Sequence, residues 1–130
     1  MNAVPPVNSK AALWSGRVIT VLVFAMLTFS AVLKFTMIED VTKEFTRLGY
    51  QQNVIIALGV TELACAVIFL IPQTAVLGAI LLTGYLGGAI ATHVRISDPF
   101  WPPALGGILA WLALFLREPR LRKLIPLRSI

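Results

Sequence analysis

Four stretches of the chain, residues 13–35, 54–71, 75–94 and 100–116, are apolar over most of their length, and the segments between them are polar. A helix rising about 1.5 Å per residue needs about 20 apolar residues to cross roughly 30 Å of hydrocarbon, so each stretch approaches the length of a membrane span. None of them alternates polar with apolar positions as a membrane β-strand would, so all four are predicted to be helices. The first has an uncharged centre over 18–33, with Trp14, Arg17 and Lys34 where interfacial anchors belong. Its basic start and apolar run also resemble a secretory signal. No small-x-small cleavage site follows Leu33, and three further spans lie downstream, so the segment is expected to be retained. Only Pro72, Gln73 and Thr74 separate the second and third stretches, which predicts a tight antiparallel hairpin, because proline removes a backbone donor and ends the helix before it. The fourth opens with Trp101, Pro102 and Pro103, an aromatic anchor beside helix-starting prolines.

The interval 37–53 differs in kind. Ile38, Val41, Phe45 and Leu48 recur at spacings of three and four, while Glu39, Asp40, Lys43, Glu44 and Arg47 fall largely on the opposite face. This pattern predicts an amphipathic helix lying in the plane of the interface. The tail is similar, with Leu121, Leu124 and Ile125 set among Arg117, Arg120, Arg122, Lys123 and Arg128, and is expected to rest on an anionic surface. The expected fold is all-α: a four-transmembrane-helix bundle with an interfacial amphipathic helix between helices 1 and 2, forming one transmembrane domain over residues 1–130.

Composition supports lipid as the solvent. Of 130 residues, 58% are hydrophobic and 13% charged, whereas a soluble domain of this size buries only about two-thirds of its chain's surface on folding. The net charge of +5 includes five basic residues in the last fourteen positions, beside a span and without interleaved aromatics. That arrangement points to anionic membrane lipid rather than nucleic acid. Cys65 is the sole cysteine, so no disulfide or Cys-x-x-Cys pair can form within the chain. One Cys, one His and one Glu within the spans make a poor ligand set, and no metal is assigned. Four spans place both termini and the middle turn on one side. That side carries Lys10, Arg17 and the five tail residues against Lys34, Lys43, Arg47 and Arg95 on the other, seven against four, favouring cytoplasmic termini in a cell membrane.

Glu62 is the strongest single hint of function, since an ionised carboxylate in mid-span costs several kcal/mol unless paired or hydrated. Counted from Asn53, it lies about 14 Å deep, level with Tyr85 on the third span and with Thr28 and Trp111 on the first and fourth. A polar layer of Glu62, Tyr85 and Thr28 is expected inside the bundle. Either a neutral Glu62 donating to a neighbour or a proton-handling Glu62 fits this position. Lys34, His93 and Arg95 fall near the outer surface, where they either share one electropositive vestibule or serve separately as headgroup anchors and a helix cap. Lys34 and Glu62 differ by roughly 10 Å in depth on this count, more than a lysine readily covers, so no salt bridge between them is expected. Gly84 with Gly88, and Gly87 with Ala91, form small-xxx-small pairs, which predict close helix packing within the monomer.

These residues carry a resemblance. The run Ser30-Ala31-Val32-Leu33-Lys34-Phe35, the pair Glu62-Leu63, the segments 77–79 and 84–95 and the stretch Leu116-Arg117-Glu118-Pro119-Arg120 resemble the DoxX-like family of small four-helix integral membrane proteins. The family takes its name from a subunit associated with a membrane thiosulfate:quinone oxidoreductase. The resemblance therefore implies Glu62 and Tyr85 as proton or quinone contacts, Lys34 and His93 at the mouth of the site, and a redox partner subunit. The chain has no dithiol, metal ligand set or cofactor motif of its own, so a redox role needs an electron path from elsewhere. Three functions follow as expectations. The first is an accessory, non-catalytic subunit holding a lipid-like ligand, with quinone as the candidate. The second is a proton-coupled transporter of small molecules. The third is a purely structural protein, for which Glu62→Leu should improve stability.

Overall fold

The computed structural model describes residues 8–128, and all regular structure among them is helical. Five α-helices follow in order: α1 (Lys10–Thr36), α2 (Glu39–Arg47), α3 (Ile55–Leu70), α4 (Ala75–Arg95) and α5 (Trp101–Arg117), with short 3-10 turns at Gln52–Val54, Pro72–Thr74 and Leu121–Lys123. With their leading turns, α1, α3 and α4 are long and apolar enough to cross a membrane, over Lys10–Thr36, Gln52–Leu70 and Pro72–Arg95. Helix α5 is apolar but shorter, at 17 residues.

Local chemistry sets the ends. Ser9 caps α1, its hydroxyl accepting from the Ala12 N–H at 3.1 Å. Met37 adopts a left-handed conformation that ends α1 and turns the chain into α2, which carries Glu39 and Asp40 in its first turn and Arg47 in its last, matching the helix dipole. At the hairpin, Ile71 takes extended geometry before Pro72, and the Thr74 hydroxyl donates to the Ile68 carbonyl at 2.8 Å, satisfying a terminal acceptor of α3. Arg122 caps α5 by donating to the carbonyls of Phe115 and Leu116 at 2.8 and 2.7 Å, and Asn8 donates to Leu116 as well. Of the expected apolar stripe in the tail, Leu121 turns inward and is buried, while Leu124 stays exposed.

Helix α1 packs on α3 and α5, and α4 closes the ring against the same two helices. Val23, Phe69, Leu82 and Leu114 fill the centre, while Leu22, Phe29 and Ile108 are each more than 60% exposed on the outside. An apolar exterior around an apolar core is the arrangement lipid permits and water does not. Trp14 and Trp101 stand exposed at opposite ends of the bundle, as interfacial belts require.

Close packing depends on glycines other than those in the expected stripe. A Cβ at Gly78 would collide with the backbone of Phe69, so its absence draws α3 and α4 together near the hairpin. A Cβ at Gly16 would lie 2.7 Å from the Ala113 carbonyl oxygen, which brings α1 onto α5. One at Gly59 would lie 2.8 Å from the Phe35 ring and 3.1 Å from Cβ of Lys34, which seats α3 against the end of α1. At Gly84, Gly87 and Gly88 an added Cβ meets no atom within 4 Å. The packing expected of these three within the monomer is therefore absent, because all three face outward and are exposed.

Candidate functional site

Three side chains from two helices form a buried polar cluster. The Lys34 ammonium lies 3.0 Å from Glu62 Oε1 and donates to the Ser30 hydroxyl at 2.7 Å, while that hydroxyl donates to Glu62 Oε2 at 3.3 Å. Lys34 is 8% exposed and Glu62 4%. The salt bridge corrects the depth count made from the sequence, and two features account for it. Lys34 is level with Gly59, only three residues, or about 4.5 Å, from Glu62. The Cα–Cβ bonds also tilt toward each helix's own N-terminus, so on antiparallel α1 and α3 the two side chains lean toward one another. Ser30, one turn before Lys34, takes the place expected of Thr28. The Thr28 hydroxyl is buried with no hydrogen-bond partner. The i, i+4 spacing of Ser30 and Lys34 was the available signal for this pairing.

The cluster borders a cavity of about 500 Å³ lined by residues from all five helices, most of them apolar, including Leu27, Leu58, Leu86 and Pro103. Glu62 from α3 and Tyr85 from α4 face it together. Gly84 and Gly88 also line it, whereas Gly87 and Ala91 do not. Trp111, expected at the same depth, instead donates its indole N–H to the Thr83 hydroxyl at 2.8 Å and joins α5 to α4.

Helix α2 covers one end of the cavity. Phe45 and Leu48 line the wall, and the Phe45 ring centroid lies 5.7 Å from the Lys34 ammonium, close enough for a cation–π contact. Several tethers hold α2 and the following turn in place. Arg47 donates to both oxygens of Asp98 at 3.3 and 3.1 Å and also pairs with Glu44. Arg95 donates to the Leu48 carbonyl at 2.6 Å, and the Tyr50 and Thr92 hydroxyls share a hydrogen bond of 2.9 Å. Gly49, at φ 93°, provides both the left-handed turn and room for the Arg95 guanidinium, which would sit 2.7 Å from a Cβ there. Hydrogen bonding to Arg47 holds the Asp98 carboxyl below the usual carboxylate range and raises the Arg47 guanidinium further above its own.

The residues expected to form a vestibule thus separate. Lys34 and His93 line the cavity, with the His93 Nδ1–H donating to the Ala89 carbonyl at 2.7 Å and Nε2 standing 3.7 Å from Asp98. Arg95 lies outside it, committed to the end of α2. Among the described residues, no three His, Cys, Asp or Glu side chains gather as a metal site would require. The profile of the DoxX-like family matches residues 18–116, covering every residue that lines the cavity. The chain belongs to the DoxX-like family. No curated protein and no solved structure shows significant similarity to it. In this DoxX-like chain, then, the matched segment contains the Lys34–Ser30–Glu62 cluster, Tyr85 and His93, while Arg117, half-buried against the Phe69 ring at the opposite end, falls just beyond it.

Proposed function

We propose that this DoxX-like membrane protein is an accessory subunit that holds a neutral, lipid-like ligand, an isoprenoid quinone being the candidate, in the cavity beside Glu62. The observation that carries this reading is a mostly apolar cavity of about 500 Å³ whose buried charges neutralise each other within it. Its volume falls within the roughly 300–1,000 Å³ usual for small-molecule sites, which pair apolar walls with a few placed polar groups. For a quinone, the Tyr85 hydroxyl and the Lys34 ammonium would supply hydrogen bonds to the head, and Leu27, Leu58 and Pro103 the apolar walls. Bound there, a quinone would supply two-electron carrier chemistry, with the electrons coming from a redox partner. The Lys34 partnership weighs against the proton-coupled transporter, whose carboxylate has to be free to exchange a proton for a cationic substrate.

In this reading α5 completes four spans, with α2 in the interface over the cavity. Both termini are cytoplasmic in the cell membrane. With Lys34 buried against Glu62, the basic count outside the bundle becomes seven against three (Lys43, Arg47 and Arg95), which strengthens the bias.

The test is to purify wild type, Glu62→Gln and Tyr85→Phe in a mild detergent and quantify isoprenoid quinones in solvent extracts by mass spectrometry. Near-stoichiometric quinone in wild type that falls in both variants is expected. Tyr85→Phe leaves the ion pair intact and so separates ligand loss from unfolding. Equal background levels in all three samples would defeat the proposal.

A further inference from the structure

The cavity wall has a gap. Gly84 and Gly88 both line the cavity and are exposed on the outside of the bundle, so at these positions the backbone of α4 alone separates the inside from the outside. Near the hairpin, α3 and α4 touch through Gly78 and Phe69, but two turns later an added Cβ at Gly84 meets nothing within 4 Å. Beyond that contact the cavity lies between the two helices, with Leu58 and Glu62 on the α3 side and Tyr85 on the α4 side. Where α5 meets α1 and α4, and where α1 meets α3, side chains intervene. Met26 Cε reaches to 3.4 Å of where a Gly106 Cβ would be, and Phe35 packs against Gly59. Helix α2 is tethered across the end of the cavity by Arg47, Arg95 and Tyr50. On the same face of α4 as Gly84 and Gly88, Leu77 and Leu81 are each at least 40% exposed, so the gap faces lipid.

We infer that the cavity is entered sideways from the bilayer, between α3 and α4 past Gly84 and Gly88, and that its occupant is a neutral amphiphile seated head-first against the Lys34–Glu62 pair. This inference rests on the ligand-binding reading above and adds the route and the class of ligand. Charge selects neutrality: the ammonium and carboxylate already compensate each other at 3.0 Å, and a ligand bearing a net charge would leave a buried charge unpaired. Size selects the pose. An isoprenoid tail much longer than the roughly 15 Å of one leaflet does not fit, together with its head, in a cavity of about 500 Å³ and must trail out through an opening bordered by lipid. A pair of glycines one turn apart on α4 leaves such an opening without a side chain across it.

The same feature makes the test clean, since a Cβ at Gly84 or Gly88 meets no atom within 4 Å and a side chain can start there without displacing a neighbour. Wild type, Gly84→Leu/Gly88→Leu and a control, Gly87→Leu, are reconstituted in phosphatidylcholine–phosphatidylglycerol vesicles with an isoprenyl benzoquinone carrying a diazirine on its first isoprene unit. After illumination, adducts are mapped by peptide mass spectrometry, and the thermal stability of each variant is recorded. Wild type and Gly87→Leu should carry adducts on cavity residues such as Leu58 or Tyr85, and also on outward-facing Leu77 or Leu81. The double variant, no less stable than wild type, should lose the cavity adducts and keep the outer ones. Cavity adducts that persist in the double variant would overturn the route while leaving the ligand reading intact. Absence of cavity adducts in a wild type that co-purifies with quinone would overturn the head-first pose and the route. Absence of both adducts and co-purified quinone would overturn this inference together with the reading beneath it.

Discussion

Lys34 and Glu62 invite a double-mutant cycle, because the structure predicts opposite outcomes for single and paired replacements. At 3.0 Å and an effective dielectric of about 20, the attraction between the two charges is about 5.5 kcal/mol. Removing each ion from water costs several kcal/mol, so the net worth of the pair is small. Replacing one partner leaves the other ion stranded, at 10% side-chain exposure for Lys34 or 5% for Glu62, and should cost about 3–5 kcal/mol. Lys34→Met and Glu62→Leu are therefore each expected to be strongly destabilising. Together they substitute apolar groups of similar volume and should fall within about 1 kcal/mol of wild type or above it. The resulting coupling energy is about 5 kcal/mol or more, well beyond the roughly 0.5 kcal/mol within which independent sites add. The assay is equilibrium unfolding in detergent micelles at neutral pH, followed by circular dichroism. Additive effects, or single variants as stable as wild type, would refute the buried-pair reasoning. The pair also reverses a diagnostic drawn from the sequence. Glu62→Leu was expected to stabilise a purely structural protein, yet it now destabilises whether or not the site is functional. The double variant is the informative one, since a stable bundle that has lost its ligand would separate binding from folding.

Further predictions concern packing and the covering helix. Gly78→Ala pushes a methyl into the Phe69 backbone, which cannot yield as a side chain tip can, and should lower stability by about 1–3 kcal/mol, whereas Gly87→Ala meets nothing and should raise it by up to about 1 kcal/mol through helix propensity. The same micelle unfolding assay checks both, and equal effects would contradict the assignment of close contacts. Hydrogen bonding to Arg47 lowers the Asp98 carboxyl relative to the unfolded chain, so its hold on α2 is complete above about pH 4 and is lost as the pH falls through the lower folded value. Amide protection over residues 39–47, corrected for intrinsic exchange, should decline across that window, and Asp98→Asn should reproduce the decline at neutral pH. Glu44 and His93, the other titratable groups beside this contact, are tested by Glu44→Gln and His93→Gln, which should leave the low-pH loss in place.

Much of the helical plan was legible because its causes are local. Uninterrupted apolar runs, Pro72, and Trp101 with Pro102 and Pro103 predicted helix ends within about three residues of those observed, a margin usual for terminal turns. The amphipathic spacing of Ile38, Val41, Phe45 and Leu48 likewise marked α2. Glu62 and Tyr85 stood out because a charged or hydroxyl-bearing side chain in mid-span has few other reasons to be there. The partners were harder to read. Depth counting treated the helices as rods flush at their ends, yet contact at Gly59 sets the register between α1 and α3, and side-chain tilt supplies the remaining reach. Arg95 resembled a cavity residue by depth alone, and only the left-handed turn at Gly49 reveals why it serves α2 instead.

The sequence by itself determined the solvent, the helical class, the family and the identity of the membrane-embedded carboxylate, all of which depend on composition and spacing along a single element. Tertiary structure decided which charge neutralises Glu62, which glycines hold helices together and which leave a gap. Those outcomes depend on how separate helices meet in space, and small residues along one helix are indifferent to that distinction. A glycine permits close approach at Gly78 and, two turns along the same helix, leaves open space at Gly84.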